Sequence, residues 1–407
     1  MNTEVSENST VASKALFRDV EFDNILKCVH CGLCLDSCPT YRELADEKDS
    51  PRGRLYLMRG LWEGELELKP QVIEPLNRCI DCRACESACP SGVPFGELLE
   101  KTRGIILENK SQSLKERLSR ALLLKGLFRS TALMIAASRL LKLYSASGLP
   151  KLITKTFIGR LFPELFVFQQ HLLPDCSGES FKRKHADKIL SPVQNQESQK
   201  SGDRKTAREF AVKNLAAFEP RNLDATITNA AGCGAQLKEY NHLFAEGTAE
   251  AQKNWRGFEN NIIDVLEFLS RYAEKLKKLP FREEEDTVLY DAPCHLMHAQ
   301  KVDENPRKLL SSLPGVNLVT LTESNWCCGS GGIYNLVQPD LSKAVLERKI
   351  ESVRQTLSAN PGASSIVTGN PGCLYQIRAG LRSNDIDLRI LHPAVYMMER
   401  LKINGSP

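Results

Sequence analysis

The spacing of apolar positions changes three times along these 407 residues, and each change marks a different kind of structure. Between Tyr41 and Arg78, the run Arg52, Gly53, Arg54, Leu55, Tyr56, Leu57, Met58 and Leu61 predicts a helix with a basic start and one apolar face. From Leu114 to Phe168, Leu118, Leu122, Leu127, Phe128, Leu133, Leu140, Leu141 and Leu143 recur among cations and predict amphipathic helices. Their stripe suits a core or a subunit interface, with an anionic membrane surface as the alternative. Cys176 to Arg208 is polar, low in aromatics and reads as a linker. Beyond Asp224 the pattern alternates. Strands are predicted at Ala225 to Thr228, Val288 to Tyr290, Val316 to Leu321, Ser365 to Thr368 and Leu388 to Leu391, with helices such as Val265 to Leu276 and Leu341 to Leu357 between them. Alternation of this kind predicts an α/β layer on a mostly parallel sheet.

Cysteine placement adds chemistry to that outline. One spelling, C-x-x-C-x-x-C-x-x-x-C-P, occurs twice: Cys28, Cys31, Cys34, Cys38-Pro39, then Cys79, Cys82, Cys85, Cys89-Pro90. Three close thiolates on a tight loop and a distant fourth suit the corners of a [4Fe-4S] cube. In two-cluster ferredoxins the fourth cysteine of each run serves the other cluster. The expected sets are therefore Cys28, Cys31, Cys34 and Cys89 for cluster A, and Cys79, Cys82, Cys85 and Cys38 for cluster B. Structural zinc is usually written as two C-x-x-C pairs, which this is not. Disulfides would need an oxidising compartment, and no leader announces one. His30 reads as a polar neighbour of the first cluster, and Arg52 and Arg54 as solvated surface cations, the alternative being that they face an acidic partner or a cluster's negative charge. The long helical insertion between the motifs favours an α-helical two-cluster unit.

A second set of cysteines follows the predicted strands, where open α/β sheets place their ligand crevices. Cys294 comes after Val288 to Pro293, Cys373 after Ile366 to Gly372, and between them lies Cys327-Cys328-Gly329-Ser330-Gly331-Gly332. Packing does not explain a vicinal pair flanked by two loop-end thiols, so Cys294, Cys327, Cys328 and Cys373 are candidates for a metal or redox site. The stretch from Ile227 to Cys233, with Gln236, mirrors Val367 to Cys373, with Gln376, so this region carries two related halves. Nothing ahead of Cys233 matches the Cys-Cys-Gly turn, and only Cys176 stands upstream, in the polar linker. The first half is read as truncated.

Bulk properties exclude several classes. A formal charge of +4 is too mild for nucleic-acid binding. The most apolar region, Ala121 to Tyr144, is broken by Lys125, Arg129, Arg139 and Lys142, so no transmembrane helix is expected. Fourteen cysteines without a leader predict a reducing, cytoplasmic setting, with a peripheral position on the inner face of the membrane as the alternative. No G-x-G-x-x-G fingerprint follows a strand, so no flavin site is expected in this chain.

Paired cluster motifs followed by Cys-Cys-Gly repeats resemble the glycolate oxidase (glycolate dehydrogenase) iron-sulfur subunit family. The likeness is carried by Cys28-Val29-His30-Cys31-Gly32, Cys38-Pro39-Thr40-Tyr41, Pro51-Arg52-Gly53-Arg54, Cys89-Pro90-Ser91-Gly92-Val93, Gly232-Cys233-Gly234-Ala235 and Cys327-Cys328-Gly329-Ser330. The resemblance, joined to the residue pattern read above, implies an α+β multidomain chain: a flexible tail at 1–19, an α-helical two-[4Fe-4S] ferredoxin domain at 20–109, an amphipathic helical linker at 110–175 and a polar linker at 176–208. A truncated first cysteine-rich (CCG) repeat at 209–280 and a second at 281–407 complete it. It implies an electron-transfer subunit that takes electrons from FAD-binding partner subunits, which oxidise glycolate, and relays them toward a membrane quinone or other acceptor. The chain alone is not expected to oxidise glycolate. Related heterodisulfide reductase subunits carry unusual clusters on such repeats, so Cys294, Cys327, Cys328 and Cys373 are expected to hold a further iron-sulfur centre, or zinc. The chain departs from those relatives in ending with Cys373-Leu-Tyr-Gln376 instead of C-x-x-C, and the shortened first repeat counts against a centre at Cys233. A heterodisulfide-reductase-like subunit and an anaerobic glycerol-3-phosphate dehydrogenase subunit are the alternatives.

Overall fold

The computed structural model describes residues 22–109, 140, 147, 203–218, 223–244 and 249–402. The expected tail, the amphipathic stretch at 110–175 (Leu140 and Ser147 apart) and Cys176 lie outside the described residues. The polar stretch expected to run to 208 ends earlier. A helix, Arg204–Phe218, begins inside it, because Asp203 accepts from the Thr206 amide at 3.1 Å and caps its first turn.

The N-terminal unit is all helix and loop. Helix Pro51–Glu63 forms where the apolar run predicted it: Ser50 caps its start through the Gly53 amide, Pro51 occupies the first turn, and Gly64 ends it at φ 80°. Its Leu55, Met58 and Leu61 are buried against Val72, Ile73 and Leu76 of helix Pro70–Asn77, and against Leu98, Leu99 and Ile106 of helix Phe95–Asn109. Gly53 has no tolerated substitute, since a Cβ there would lie 1.9 Å from the Glu47 carbonyl oxygen. The short 3-10 turn Glu47–Asp49 is thereby held against the helix.

Among the described residues the strands pair in parallel, apart from an isolated antiparallel bridge between Phe281 and Leu401. A four-stranded sheet has the order β4-β3-β5-β6, with β3 at Asp286–Asp291, β4 at Val316–Thr320, β5 at Ala363–Thr368 and β6 at Arg389–Leu391. The central pair is apolar on both faces, with Val288, Leu289, Tyr290, Ile366 and Val367 fully buried, as a sheet covered by helices on both sides requires. A separate two-stranded ladder joins β1, Thr226–Thr228, to β2, Ile262–Asp264. The sequence pattern anticipated five of these strands. It missed β2, a three-residue apolar run that continues directly into a helical pattern. The helix expected from Val265 to Leu276 is two, Val265–Ser270 and Ala273–Leu276. At the break, Ser270 Oγ donates to the Glu267 carbonyl at 2.7 Å, and the Arg271 amide turns to Phe268.

Chain order and strand order reverse around β3: the chain runs from β3 out to β4, then crosses back to β5 on the other side. Crevices at the carboxyl ends of strands open at such a reversal. Among the described residues no helix is long and apolar enough to cross a membrane.

Candidate metal centres

The two cysteine runs fold into the same loop. In the first, His30 and Gly32 take positive φ (56° and 83°); in the second, Asp81 and Arg83 occupy the matching positions at 60° and 63°. Two left-handed residues per run curl the backbone so that the cysteines on either side face one hollow. Glycine, aspartate and histidine tolerate this conformation, but an arginine is strained in it. Arg83 is held there by ion pairs to Glu86 at 3.0 Å and to Glu239 of the α/β half. His30 has its side chain in solvent and contributes its carbonyl, which accepts from Arg52 at 3.4 Å.

One hollow is lined by Cys28, Cys31, Cys34 and Cys89, together with Val29, Leu33 and Arg52. A second is lined by Cys38, Cys79, Cys82 and Cys85, together with Arg54. Cys38 thus sits with the later run, and Cys89 with the earlier one. Pro51, Cys85 and Phe95 line both hollows and form the wall between them. The outer hollow is open, with Cys31 exposed and Val29 and Leu33 69% and 62% accessible. The inner one is more enclosed, with Cys38 and Cys82 buried and Cys79 and Cys85 half-buried. Burial, reinforced by the neighbouring Cys28, Cys89 and Cys31 sulfurs, pushes the Cys34 thiol up to about 11. Burial likewise raises Cys79, Cys82 and Cys85. Thiols crowded this way resist ionising unless a cation shares their charge, which is the condition under which thiolate ligation of iron releases protons.

Arg54 corrects the sequence reading. It is fully buried, not solvated: Nη1 reaches Cys38 Sγ at 3.7 Å, Nε donates to Pro75 O at 2.8 Å, and Nη2 donates to Asp49 Oδ1 at 3.1 Å. The buried Asp49 also takes two bonds from Arg78, at 3.0 and 2.8 Å. Arg103, buried too, donates to the carbonyls of Leu76 and Cys79, each at 2.7 Å. Arg54 lies four residues before Met58 and seven before Leu61, on the buried face of the same helix, and the acidic Asp49 across the turn balances its buried charge. Arg52, two residues earlier, keeps the expected partly solvated place and pairs with Glu47 at 2.7 Å.

The second cysteine set gathers at the sheet reversal. Cys294 follows β3, Cys327 and Cys328 follow β4, and Cys373 follows β5, all four buried. Their thiols form a chain in which Cys327 contacts Cys294 and Cys328, and Cys328 contacts Cys373. Cys327 is drawn well below the ordinary thiol range by hydrogen bonds from Cys294 and Cys328, with the Gly329 amide adding to them. Gly329, at φ 83°, lets the turn pass Ser342, whose carbonyl oxygen would lie 2.5 Å from any Cβ. Asn370, which the sequence did not single out, donates to Cys373 Sγ at 3.3 Å and accepts from the Gly232 amide at 3.3 Å. The Cys233 loop therefore packs on the Cys373 loop, and Cys233 itself is buried in helix Ala231–Leu237.

This thiol chain abuts the inner hollow. Ile80, Cys82 and Ala84 share one buried cluster with Cys294, Cys327, Tyr334, Leu341 and Val345. Tyr334 donates to the Arg78 carbonyl at 2.7 Å, and His298 Nδ1 pairs with Ser87 Oγ at 2.8 Å. Among the described residues no three His, Cys, Asp or Glu side chains gather as a single-ion site. The motif sulfurs stand around hollows instead, and an all-thiolate set of this kind fits a soft multi-iron core.

Comparison with known proteins agrees. Residues 24–93 match the 4Fe-4S dicluster domain family, 196–238 and 288–378 the cysteine-rich domain family, and 115–171 the linker region of the glycolate oxidase iron-sulfur subunit. The chain is 33% identical to a probable glycolate oxidase iron-sulfur subunit of Bacillus subtilis (strain 168), over 92% of this chain and 94% of that protein. It is 32% identical to the glycolate oxidase iron-sulfur subunit of Escherichia coli (strain K12), over 94% and 96%. One of the subunits of a fumarate reductase (CoM/CoB) from Methanothermobacter marburgensis is 25% identical over 90% of this chain and 70% of its own length. No solved structure matches.

Proposed function

Because the chain belongs to the glycolate oxidase iron-sulfur subunit family, we propose that it is the electron relay of a flavin-dependent glycolate dehydrogenase complex. It carries iron-sulfur clusters and transfers electrons as a subunit of an oxidoreductase. In this reading FAD-binding partner subunits oxidise glycolate, and a quinone or other membrane acceptor receives the electrons. Cys28, Cys31, Cys34 and Cys89 hold one [4Fe-4S] cluster, and Cys38, Cys79, Cys82 and Cys85 the other. Cys294, Cys327, Cys328 and Cys373 hold a further centre. When bound, such clusters accept and donate single electrons, which splits the two-electron output of a reduced flavin. The protein's part is to fix the thiolates, exclude water from the inner set and set the local charge.

One observation carries the reading. The two hollows share Cys85 in their dividing wall, and the inner one touches the Cys294–Cys327 pair through Cys82, so the three sulfur sets form an unbroken series from the exposed Cys31 to the sheet reversal. Burial of all four CCG thiols favours a relay over turnover of a disulfide substrate, which would need access to them. The domain scheme proposed has the cluster unit at 20–109, linkers from 110 up to the helix that starts at Arg204, and two CCG repeats, the first shortened and running to 280, the second at 281–407.

Cys31→Ser tests the relay. Glycolate should still reduce the flavin of the assembled complex at the normal rate, while transfer to a quinone analogue is lost. Unchanged turnover with the quinone analogue would refute the role.

A further inference from the structure

The two cysteine quartets sit in unlike electrostatic surroundings. Beside the inner one stand four guanidiniums, Arg54, Arg78, Arg83 and Arg103, against the carboxylates of Asp49, Asp81, Glu86 and Glu239; Arg54, Arg103, Asp49 and Asp81 are buried, and Arg78 is part-exposed. Arg54 touches a quartet sulfur directly, at 3.7 Å from Cys38. Backbone amides add to it: Asp81 N donates to Cys79 Sγ at 3.4 Å, and the Ala84 amide to Cys82. The cation lining the outer quartet is Arg52, 31% exposed and neutralised by Glu47.

Resting on the two-cluster reading above, we propose that Arg54 is a positioning residue that makes the inner quartet the resting place of the electron. The electron enters at the exposed outer quartet and is held inside, next to the CCG thiols. One electron leaves the outer site and one arrives at the inner site, with no bond or proton exchanged; the reductant is the reduced flavin of a partner. An added electron is an added negative charge, and a fixed cation in contact with a ligand sulfur stabilises it. Burial by itself would oppose that charge, because water no longer solvates it. The same low dielectric, however, strengthens the attraction to Arg54, and contact distance lets the attraction win.

The iron-loaded chain, purified without oxygen, is titrated reductively and followed by electron paramagnetic resonance, with and without gadolinium-EDTA to broaden signals from exposed centres. The signal that appears first should be the one gadolinium-EDTA leaves sharp. In Arg54→Gln that sharp signal should need a poise lower by at least 59 mV, a tenfold fall in the reduced fraction at fixed potential. Arg54→Lys should shift less than Arg54→Gln, and Arg52→Gln should leave the order unchanged. A first signal broadened by gadolinium-EDTA, or an Arg54→Gln shift confined to the exposed signal, overturns the proposal. Should Arg54→Gln fail to retain iron, the order in the unaltered chain decides alone. Fewer than about eight iron per chain, or a single cubane signal, would instead refute the two-cluster reading and take this proposal with it.

Discussion

Removing the ammonium of Lys349 should loosen the α/β half at its cysteine-bearing end. Lys349 lies in helix Pro339–Ala359 with no accessible surface. Its three donors are all used: Asp291 Oδ1 at 2.9 Å, Glu323 O at 2.9 Å and Ser324 O at 3.1 Å. Asp291, 2% exposed, spends its other oxygen on Thr368 Oγ1 at 2.8 Å. One cation therefore ties the ends of β3 and β5 to the loop that leads into Cys327 and Cys328. In Lys349→Met the Asp291 charge stays buried with one partner and the Ser324 carbonyl loses its ammonium donor, while Glu323 O keeps the Trp326 amide at 2.9 Å. Breaking a buried pair from one side costs about 3–5 kcal/mol, a large share of the roughly 5–15 kcal/mol that holds a domain together. Hydrogen exchange at the amides of Asp286–Asp291 and Ala363–Thr368, read by mass spectrometry, reports the local opening free energy. The paired variant Lys349→Met, Asp291→Asn should recover part of the loss, because no uncompensated charge remains. An opening free energy within about 1 kcal/mol of the parent, or a double variant no better than the single one, would show that the pair does not organise the sheet end.

Three further outcomes are expected. Burial raises the carboxyl of Glu259 to about 7 and that of Asp264 to about 6, above the 4.5 and 3.8 of free side chains. The folded state thus binds more protons between those limits, so the stability of this segment should be greatest below about pH 4 and fall until about pH 7, then level off; unfolding followed at Trp255, with Trp62 and Trp326 replaced by Phe, checks the direction. Tyr334→Phe removes the bond to the Arg78 carbonyl and should cost about 1 kcal/mol, seen as faster exchange at Ile80 and Cys82 where the two halves meet. Removing iron with a chelator should expose amides of 28–38 and 79–89, because Cys28, Cys79, Cys85 and Cys89 pack on the helical core, while Pro339–Ala359 keeps its protection; equal loss in both places would count against cluster-dependent folding of the N-terminal unit.

Local signals in the sequence account for what was legible. Strands β3 and β5 each carry a short apolar run, Val288-Leu289-Tyr290 and Ile366-Val367, closed by turn residues, and helix Pro51–Glu63 carries its own cap and stop, so neither depends on distant contacts for recognition. The crossing of the fourth cysteines was expected from the habit of two-cluster ferredoxins, and Cys38 does line the hollow of the later run and Cys89 that of the earlier one, with Cys85 in the wall between them. Burial of charge was not legible. Arg54 and Arg52 look alike in sequence, one turn-step apart on a basic helix start, and the difference arises from Asp49, whose approach depends on Gly53. An acidic residue five positions before an arginine on the apolar side of the helix is the only trace of that pairing. Lys349 and Asp291 are 58 residues apart, and nothing local links them. Asn370 could have been noticed, since Ala230 and not Asn229 holds the matching place in the first repeat, and the Asn370 amide donates to the cysteine of its own loop.

Position in the α/β fold explains why the sulfur series ends where it does. Loops at a sheet reversal diverge, so β3, β4 and β5 each deliver a cysteine to one crevice without crossing one another. On the rim of that crevice Cys294 and Cys327 share a buried cluster with Cys82, the most enclosed loop cysteine of the second run. Arg83, next along, adopts its strained left-handed turn because Glu239 of the opposite half pairs with it. The loop that curls around the inner hollow is therefore partly held by the half that takes over from it. Weakening that contact with Glu239→Gln should relax the loop as well as the interface, raising exchange at 79–85 together with that of helix Ala231–Leu237. Faster exchange in the helix alone would mean that the cysteine loop keeps its shape without help from the α/β half.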